Sequence, residues 1–231
     1  MTTITTKARA RPAQAGPPLL GPALGFTVPT VVGVVLGASG PRPTTPAADL
    51  AAYYVASATA ATMQATAVFA AAIPLAVFTA VGYNRLRRLG VAAPGSAIAL
   101  AGGLLASALL ATSGLAAWTA VQSAGLGEPG ILRALTTLSF AAGGPGMVPF
   151  FGLLIAGIAV PSLILGLLPR WLAWTGLVIA GLAMLSVFSL LTPTLYPLLP
   201  VGRFGGLLWL VTAAALLPLT RPRRTTPTRS R

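Results

Sequence analysis

Asp49 and Glu128 are the only two carboxylates in this chain of 231 residues, which has no histidine and no cysteine. A pair of carboxylates can divide acid and base roles, but these two come from separate parts of the chain and the fold would have to bring them together. Without histidine and cysteine, the usual zinc sites, haem ligation through these residues and a Ser-His-Asp triad are excluded. The sequence therefore predicts no metal and no cofactor.

Backbone groups are a second source of chemistry where prolines interrupt helices. Such a proline frees a carbonyl oxygen that can bind an ion or a polar ligand. The sequence predicts a complete helix break between 142 and 147, either as part of a ligand site or as a turn before a full-length apolar helix at 147–167, which the length favours. The predicted ligand or packing region consists of Pro74, Pro161, Gly143, Gly144, Pro145, Gly146, Arg133 and Arg203.

Polar side chains within the apolar stretches are almost all hydroxyls. Such hydroxyls commonly bond the carbonyl oxygen four residues earlier in their own helix, so structural roles are expected. A passage for a solute would require several of them to lie in one cavity. These polar residues are Gln64, Thr66, Thr79, Ser107, Thr112, Ser113, Ser162, Thr175, Ser186, Ser189 and Thr192.

Six charge-free intervals dominate the chain, and each is long enough for a helix that crosses a bilayer. Such a helix needs about 20 mainly apolar residues, or about 17 at the short end. With 55% hydrophobic and 7% charged residues, the chain also has more apolar side chains than a water-soluble domain needs. The sequence predicts an all-α, polytopic membrane helical bundle with six transmembrane helices. The predicted spans are 19–39, 64–84, 96–120, 147–167, 171–191 and 204–220.

The basic residues predict the orientation of these spans. Lysine and arginine are in excess in the cytoplasmic segments of membrane proteins. With both termini cytoplasmic, twelve of the fifteen basic residues lie on the cytoplasmic side. The outer side then holds Arg42, Arg133, Arg203, Asp49 and Glu128. We therefore predict cytoplasmic termini. Among the outer charges, we predict that Arg133 and Arg203, with Asp49 and Glu128, form either an ion pair or an anion-binding patch.

Two short helices are predicted at the outer interface, because residues 47–62 are rich in helix formers and residues 131–142 have apolar side chains at helical spacing. Neither is expected to span, since sixteen and twelve residues of helix reach only about 24 and about 18 Å. The predicted organisation is a six-span domain over 18–220, a disordered basic cytoplasmic tail at 1–17 and a disordered Arg-rich cytoplasmic tail at 221–231. The basic residues of the tails indicate either attraction to anionic lipids or a role as orientation signals alone.

The first predicted span has small residues four positions apart, Gly21/Gly25 and Gly33/Gly37, which let helix backbones approach closely in lipid. They predict a packing face, used within the bundle or across a dimer. Because the span follows a basic leader, the alternative to a retained helix is a signal peptide cleaved near Gly37 and Ser39. Its apolar stretch exceeds the usual signal-peptide core of about 7 to 15 residues, which favours the retained helix.

Aromatic residues near the span ends agree with this map. Tryptophan and tyrosine favour the headgroup level of a bilayer, where an apolar ring and a polar tip are both satisfied. The predicted anchors are Tyr83, Trp171 and Trp174 at the cytoplasmic face and Trp118 and Tyr196 at the outer face. Trp209 lies deeper in the last predicted span than an ideal anchor.

The segment LLPRWLAWTGLVIAG at 167–181 contains a Pro-Arg-Trp-Leu turn that leads into a span. With the Leu-Arg-Arg-Leu-Gly turn at 86–90, it resembles the turns of small multi-span integral membrane proteins of actinobacteria that are grouped as domains of unknown function. The matching positions are Pro169, Arg170, Trp171 and Trp174. The resemblance implies a bacterial six-helix membrane bundle without an assigned activity.

The absence of reactive side chains favours a non-enzymatic, multi-pass protein of the plasma (inner) membrane that binds a protein partner, a lipid or a hydrophobic molecule. The alternative is a permease or channel for a neutral or apolar solute, and the third hypothesis is a membrane enzyme that uses the outer carboxylates. The expected partners are the lipid bilayer, anionic lipids at the cytoplasmic face, and a protein or a second copy of the chain. Nucleic acid is not expected despite the net charge of +13, because no basic stretch is long enough to fold as a reading domain.

Overall fold

The structure is a computed structural model that describes residues 17–38, 40–41 and 45–219. Within these ranges the chain is helical and has no strand. The helices are α1 (Leu20–Leu36), α2 (Ala47–Ala56), α3 (Ala58–Arg88), α4 (Gly95–Ser123), α5 (Pro129–Ala141), α6 (Met147–Leu165), α7 (Arg170–Leu185) and α8 (Leu198–Leu216). A π-helical segment, Ala142–Gly146, joins α5 to α6. Apart from Pro17, the predicted tails lie outside the described residues.

Prolines mark where most of these helices begin. Proline has a fixed φ near −65° and no N–H, which suits the start of a helix, where N–H groups have no partner within the helix. Four helices directly follow a proline and one begins with it, at Pro46, Pro94, Pro169, Pro197 and Pro129. α6 ends at Leu165, and the next residue, Gly166, has a φ of +66° that favours glycine. The ends of these helices are therefore determined by local sequence.

Among the described residues, five helical stretches are long and apolar enough to cross a membrane. They are Ala58–Arg88, Gly95–Leu126, Pro129–Leu165, Arg170–Leu190 and Pro193–Leu216. α1 is also apolar but has 17 residues. Large apolar side chains are exposed on the outside of the bundle, such as Ile164 at 75% and Leu208 at 73%. Apolar surface of this extent is stable against lipid and unfavourable in water, as expected for a multi-pass membrane protein.

The long helices form a closed ring. α3 packs between α1 and α4, α6 packs between α4 and α7, and α8 contacts α7, α6 and α1. At the centre, Phe26 of α1 and Phe151 of α6 pack edge to face with ring centroids 5.6 Å apart. Leu75 and Ile155 belong to the same core. α1 is therefore part of the bundle although it is shorter than the five helical stretches that are long enough to cross a membrane.

The predicted packing face of α1 lies against α3. A Cβ atom at Gly25 would lie 3.1 Å from Pro74, and one at Gly33 would lie 3.2 Å from Val68. At Gly21, no described residue lies within 4 Å of such an atom. The face is thus used within the bundle, one of the two predicted uses.

Pro74 and Pro161 have a packing role in the structure. The ring of Pro74 lies against Gly25 of α1, and the ring of Pro161 lies against Gly95 of α4. In both places a glycine provides the room that the proline ring needs next to a neighbouring helix. Neither proline lines the larger cavity described below.

The Gly-Gly-Pro-Gly segment does not break the helix, so the prediction of a break or a turn is wrong. α5, the π-helical segment and α6 form one helix of 37 residues, Pro129–Leu165. Met147 donates its N–H to the carbonyl oxygen of Ala142, five residues earlier, as in a π-helix. The wider turn accommodates Pro145, which lacks an N–H and would clash with the carbonyl four residues earlier in an α-helix.

Two further boundaries differ from the predicted ones. The helix predicted at 47–62 is divided at Ser57 into α2 and the start of α3. α8 begins at Leu198, directly after Pro197 and earlier than the predicted 204. Pro200 lies in its first turn, where a proline is tolerated. Arg203 therefore lies within a helix and not before it.

Candidate ligand cavity

The bundle has two chemically different ends. At one end Arg85 of α3 is buried, and its Nη2 donates to the carbonyl oxygen of Pro17 at 2.7 Å. Pro17, Arg85, Arg88 and Leu219 line a small cavity of about 90 Å³. The first and last parts of the described chain therefore lie together at this end, which we call the arginine end.

At the opposite end of α3, α2 and α5 form a structure that we call the cap. A small apolar cluster holds it against the end of α4 and is separate from the main core. Its buried members are Leu50, Tyr54, Ala61, Ala120, Val121 and Leu132. The two short helices predicted from the sequence are thus packed against each other and against the bundle.

A polar contact also joins the two helices of the cap. The hydroxyl oxygens of Tyr54 in α2 and Thr136 in α5 lie 3.2 Å apart. Because Thr136 donates to the carbonyl oxygen of Leu132, Tyr54 is the donor of the pair. Burial raises the pKa of the Tyr54 phenol above its ordinary value. The phenol therefore stays a neutral donor.

A cavity of about 360 Å³ lies under the cap, between α1, α3, α4, α5 and α8. Its apolar lining includes Val34, Val68, Leu110 and Leu199. Its polar lining consists of Thr30, Tyr53, Tyr54, Gln64, Ser113, Thr136, Ser139 and Arg203. Small-molecule sites commonly have volumes of about 300 to 1,000 Å³ and a mainly apolar lining with a few placed polar groups.

The π-helical segment forms one side of this cavity through Gly143 and Gly144. Arg203 of α8 donates from Nη2 to the carbonyl oxygen of Gly143. A Cβ atom at Gly143 would collide with Ser113 of α4, so glycine is needed there for α4 to approach. The Ser113 and Ser139 hydroxyls each donate to the carbonyl oxygen of the other residue, at 2.8 and 3.0 Å. Polar contacts thus connect this side of the cavity to α4 and α8.

Three polar side chains of the cavity have donors that the protein does not use. Arg203 is the one charged residue among the described lining residues, and its single hydrogen bond leaves most of its five N–H donors free. Within the described part of the chain, Arg203 forms no ion pair, and neither the Gln64 amide nor the Tyr53 hydroxyl forms a hydrogen bond. The cavity therefore has unsatisfied donors from α2, α3 and α8.

The other predicted outer charges lie outside the cavity. Asp49, Glu128 and Arg133 are exposed, and none of them lines it. No ion pair forms among these three and Arg203, and Arg42 lies outside the described residues. The described residues also contain no group of three or more side chains suited to hold a metal ion. Of the predicted outer charges that the structure describes, Arg203 alone lines the cavity.

The predicted polar residues do not gather in one place. Gln64 and Ser113 line the cavity, and the other nine do not. Five hydroxyls donate to a carbonyl three or four residues earlier, namely Thr66, Thr79, Thr112, Thr175 and Ser186. Ser107 donates at 2.6 Å to the carbonyl oxygen of Ala72 in α3, whereas the Ser162 and Ser189 hydroxyls are buried and have no hydrogen-bond partner among the described residues. A passage for a solute would require several of these side chains in one cavity, and only two of the eleven lie in this one.

The predicted aromatic anchors differ in exposure. Trp118, Trp171 and Trp174 are exposed, and Tyr83 and Tyr196 are half-buried. Tyr196 packs edge to face on Phe140, with ring centroids 5.2 Å apart. Trp209 is buried in the core and donates from Nε1 to the carbonyl oxygen of Leu172 at 2.7 Å. It is a structural contact between α7 and α8, which explains its depth in the last span.

Sequence reasoning missed Tyr53, Tyr54, Thr136 and Ser139 as cavity residues. A signal was present, because Leu132, Thr136 and Ser139 have helical spacing and share one face of α5. The residues of α2 carried no comparable signal, since their partners are distant in sequence.

Comparison of the chain with protein-family models, curated proteins and solved structures gives no match.

Proposed function

We propose that this protein is a non-enzymatic membrane protein that binds a small amphipathic molecule in the cavity under the cap. The observation that carries the proposal is the cavity itself, about 360 Å³ with unsatisfied donors inside a close-packed helical bundle. Protein interiors normally leave few spaces larger than a water molecule. The side chains that carry these donors, Tyr53, Gln64 and Arg203, are half-buried, and a ligand that covers them provides hydrogen-bond partners in place of water.

In this proposal six helices cross a bacterial plasma membrane, and α1 is the sixth. Its 17 residues extend about 26 Å, near the hydrocarbon thickness of about 30 Å, and it packs in the ring with α3 and α8. The arginine end is cytoplasmic, because Arg85, Arg87, Arg88 and Arg170 lie at the helix ends there. The cap then lies at the outer interface.

The cavity also has a proposed route of entry. Val34 of α1 and Pro200 and Phe204 of α8 line the cavity and are exposed. These positions support an opening between α1 and α8, on the side of the bundle that lipid covers. An amphipathic molecule in the outer leaflet reaches the cavity through this opening without displacing the cap.

Two observations favour a binding function over transport and over catalysis. Phe26, Leu75 and Phe151 belong to the main core between the helices and have no exposed surface, so transport would require this core to open. The carboxylates are exposed and lie outside the cavity, so no acid or base is placed next to a bound molecule.

The test is a substitution that fills the cavity. Ala117 of α4 lines the cavity, and Ala117→Leu puts a larger apolar side chain into it. Ala108 of the same helix is exposed and does not line the cavity, so Ala108→Leu makes the same chemical change on the lipid-facing side. The three proteins are extracted in native lipid discs, and the small molecules that accompany each are identified by mass spectrometry.

We expect a specific small molecule with the unaltered protein and with Ala108→Leu, and a loss of at least about tenfold with Ala117→Leu, since bulk within a filled site raises the binding free energy by about 1 to 3 kcal/mol. Equal recovery from both variants would show that the molecule binds elsewhere. Recovery of ordinary membrane lipid alone from all three would contradict the proposal.

A further inference from the structure

We infer that the molecule bound in the cavity carries an oxyanion, a carboxylate or a phosphate, that pairs with Arg203 while its apolar part lies along the lining of α1, α3 and α4. This inference rests on the proposed function and specifies the class of ligand.

The charge of the cavity is the first argument. Arg203 is the one charged residue among the described lining residues, and Asp49 and Glu128 are exposed elsewhere. A guanidinium next to apolar side chains and lipid is costly when no opposite charge accompanies it. The carbonyl oxygen of Gly143 supplies a hydrogen bond but no negative charge. An anionic ligand would supply the missing counter-charge.

The hydrogen-bonding pattern is the second argument. The Tyr54, Thr136, Ser113 and Ser139 hydroxyls donate to protein atoms and have no further proton to give. The unused donors of the cavity are the remaining N–H groups of Arg203, the Gln64 amide and the Tyr53 hydroxyl. An oxyanion can accept from several donors at once, and a guanidinium fork binds it through two parallel hydrogen bonds. A neutral alcohol does not offer this arrangement.

The apolar lining and the volume limit the rest of the molecule. Val34, Val68 and Leu110 come from three different helices and face the same space. The volume of about 360 Å³ is near the lower end for small-molecule sites. A single short apolar tail suits this space better than the two chains of a membrane phospholipid.

The first experiment compares probes with the same tail and different heads. The full chain is placed in phosphatidylcholine discs, and binding of dodecanoate, dodecyl phosphate and dodecanol is measured by titration calorimetry. We expect at least one anionic probe to bind about 10- to 100-fold more tightly than dodecanol, as a charge-assisted hydrogen bond predicts. The tighter of the two identifies the head as carboxylate or phosphate. Dodecanol binding as tightly as both anions would overturn the inference.

The second experiment removes the charge. Arg203→Gln should weaken binding of the anionic probe about 10- to 100-fold and leave dodecanol binding unchanged. Arg133 is an exposed arginine of the cap that does not line the cavity, so Arg133→Gln is the matched control and should change neither. Arg203→Lys keeps the charge without the fork and should give an intermediate affinity. Unchanged binding of the anion to folded Arg203→Gln would also overturn the inference.

Arg203→Gln also loses the contact with Gly143, so its fold is checked by circular dichroism. If it does not fold, Tyr53→Phe and Gln64→Leu test the same donors, because neither side chain has a hydrogen bond to lose within the described protein. Each substitution should weaken binding of the anionic probe several-fold and leave binding of dodecanol unchanged. If neither variant binds the anionic probe more weakly, the inference is contradicted.

The two proposals fail in different ways. If no probe binds, or if Ala117→Leu does not weaken the probes, the binding function of the cavity fails. If all probes bind equally and Ala117→Leu weakens all of them, the cavity binds amphipathic molecules and the role of Arg203 alone is wrong. Acetate and inorganic phosphate, which lack a tail, measure simple ion binding to arginine. Both should bind far more weakly than the anionic probes that carry a tail.

Discussion

Replacing Gly157 with alanine should separate α4 and α6, whose backbones approach each other closely at this position. A methyl group at Gly157 would lie 2.5 Å from the nitrogen and 2.7 Å from the Cα of Ala99, and 2.7 Å from the carbonyl oxygen of Gly95. All three are backbone atoms of α4 and cannot rotate aside as a side chain can. Because ordinary contact begins at 3.4 Å, α6 has to withdraw locally by up to about 0.9 Å.

Two opposing effects determine the magnitude. Alanine is favoured over glycine in a helix by about 1 kcal/mol. Overpacking a core costs about 1 to 3 kcal/mol, and a gap of about 0.5 to 1 Å removes a quarter to a half of the dispersion attraction between the atoms that separate. The atoms that a methyl group at Gly157 would meet belong to the backbone of α4, and α6 is also held by its contacts with α7 and α8. The overpacking cost should therefore lie in the upper part of this range. We expect a net loss of about 1 to 2 kcal/mol in the free energy of unfolding.

The matched control is Gly181→Ala in α7, because no atom of the described chain lies within 4 Å of a Cβ atom there. It should raise the free energy of unfolding by up to about 1 kcal/mol. Both variants are unfolded by titration with sodium dodecyl sulfate in mixed micelles and followed by circular dichroism. Gly157→Ala as stable as Gly181→Ala would refute the close approach of α4 and α6.

The remaining predictions concern the core and the orientation. Trp209→Phe loses the hydrogen bond to Leu172 and should lower the free energy of unfolding by about 1 to 2 kcal/mol in the same titration. Trp171→Phe, at a residue that is 61% exposed, should change it by less than about 0.5 kcal/mol, and equal effects would contradict the buried role of Trp209. Reporter domains fused after Arg231 and inserted between Leu89 and Pro94 should be active in the cytoplasm, and one inserted at Gly125 should be active outside. The reverse pattern would overturn the proposed orientation.

The helical class and most span positions could be predicted because charge is excluded from lipid and the chain has long charge-free intervals. The predicted spans at 64–84, 96–120 and 147–167 fall within α3, α4 and α6, allowing two residues beyond the end of α6. The packing face of α1 was also readable, because small residues four positions apart lie on one side of a helix. These features depend on composition and local periodicity alone.

The cavity could not be predicted because its residues come from separate parts of the chain. Gly143 and Pro145 look like helix breakers locally, yet Arg203 and Ser113 bond to the residues around them and hold a π-helical turn in place. Arg203 looked like a flanking charge because the start of α8 was placed after it. Its contact with Gly143 joins residues 60 positions apart, beyond the reach of a local pattern.

The π-helical turn has a consequence for how the cap and the cavity are connected. Because α5 continues through this turn into α6, Thr136 and Ser139 of the cap belong to the same helix as Phe151 of the core. The same turn directs the carbonyl oxygen of Gly143 to Arg203, so the one charge of the described cavity lining contacts the helix that runs from cap to core. α2, in contrast, is joined to α3 through Ser57 and contacts the cavity through Tyr53 and Tyr54. A ligand that bridges Arg203 and Tyr53 would therefore connect the separately attached part of the cap to the continuous helix, which is how binding could stabilise this end of the bundle.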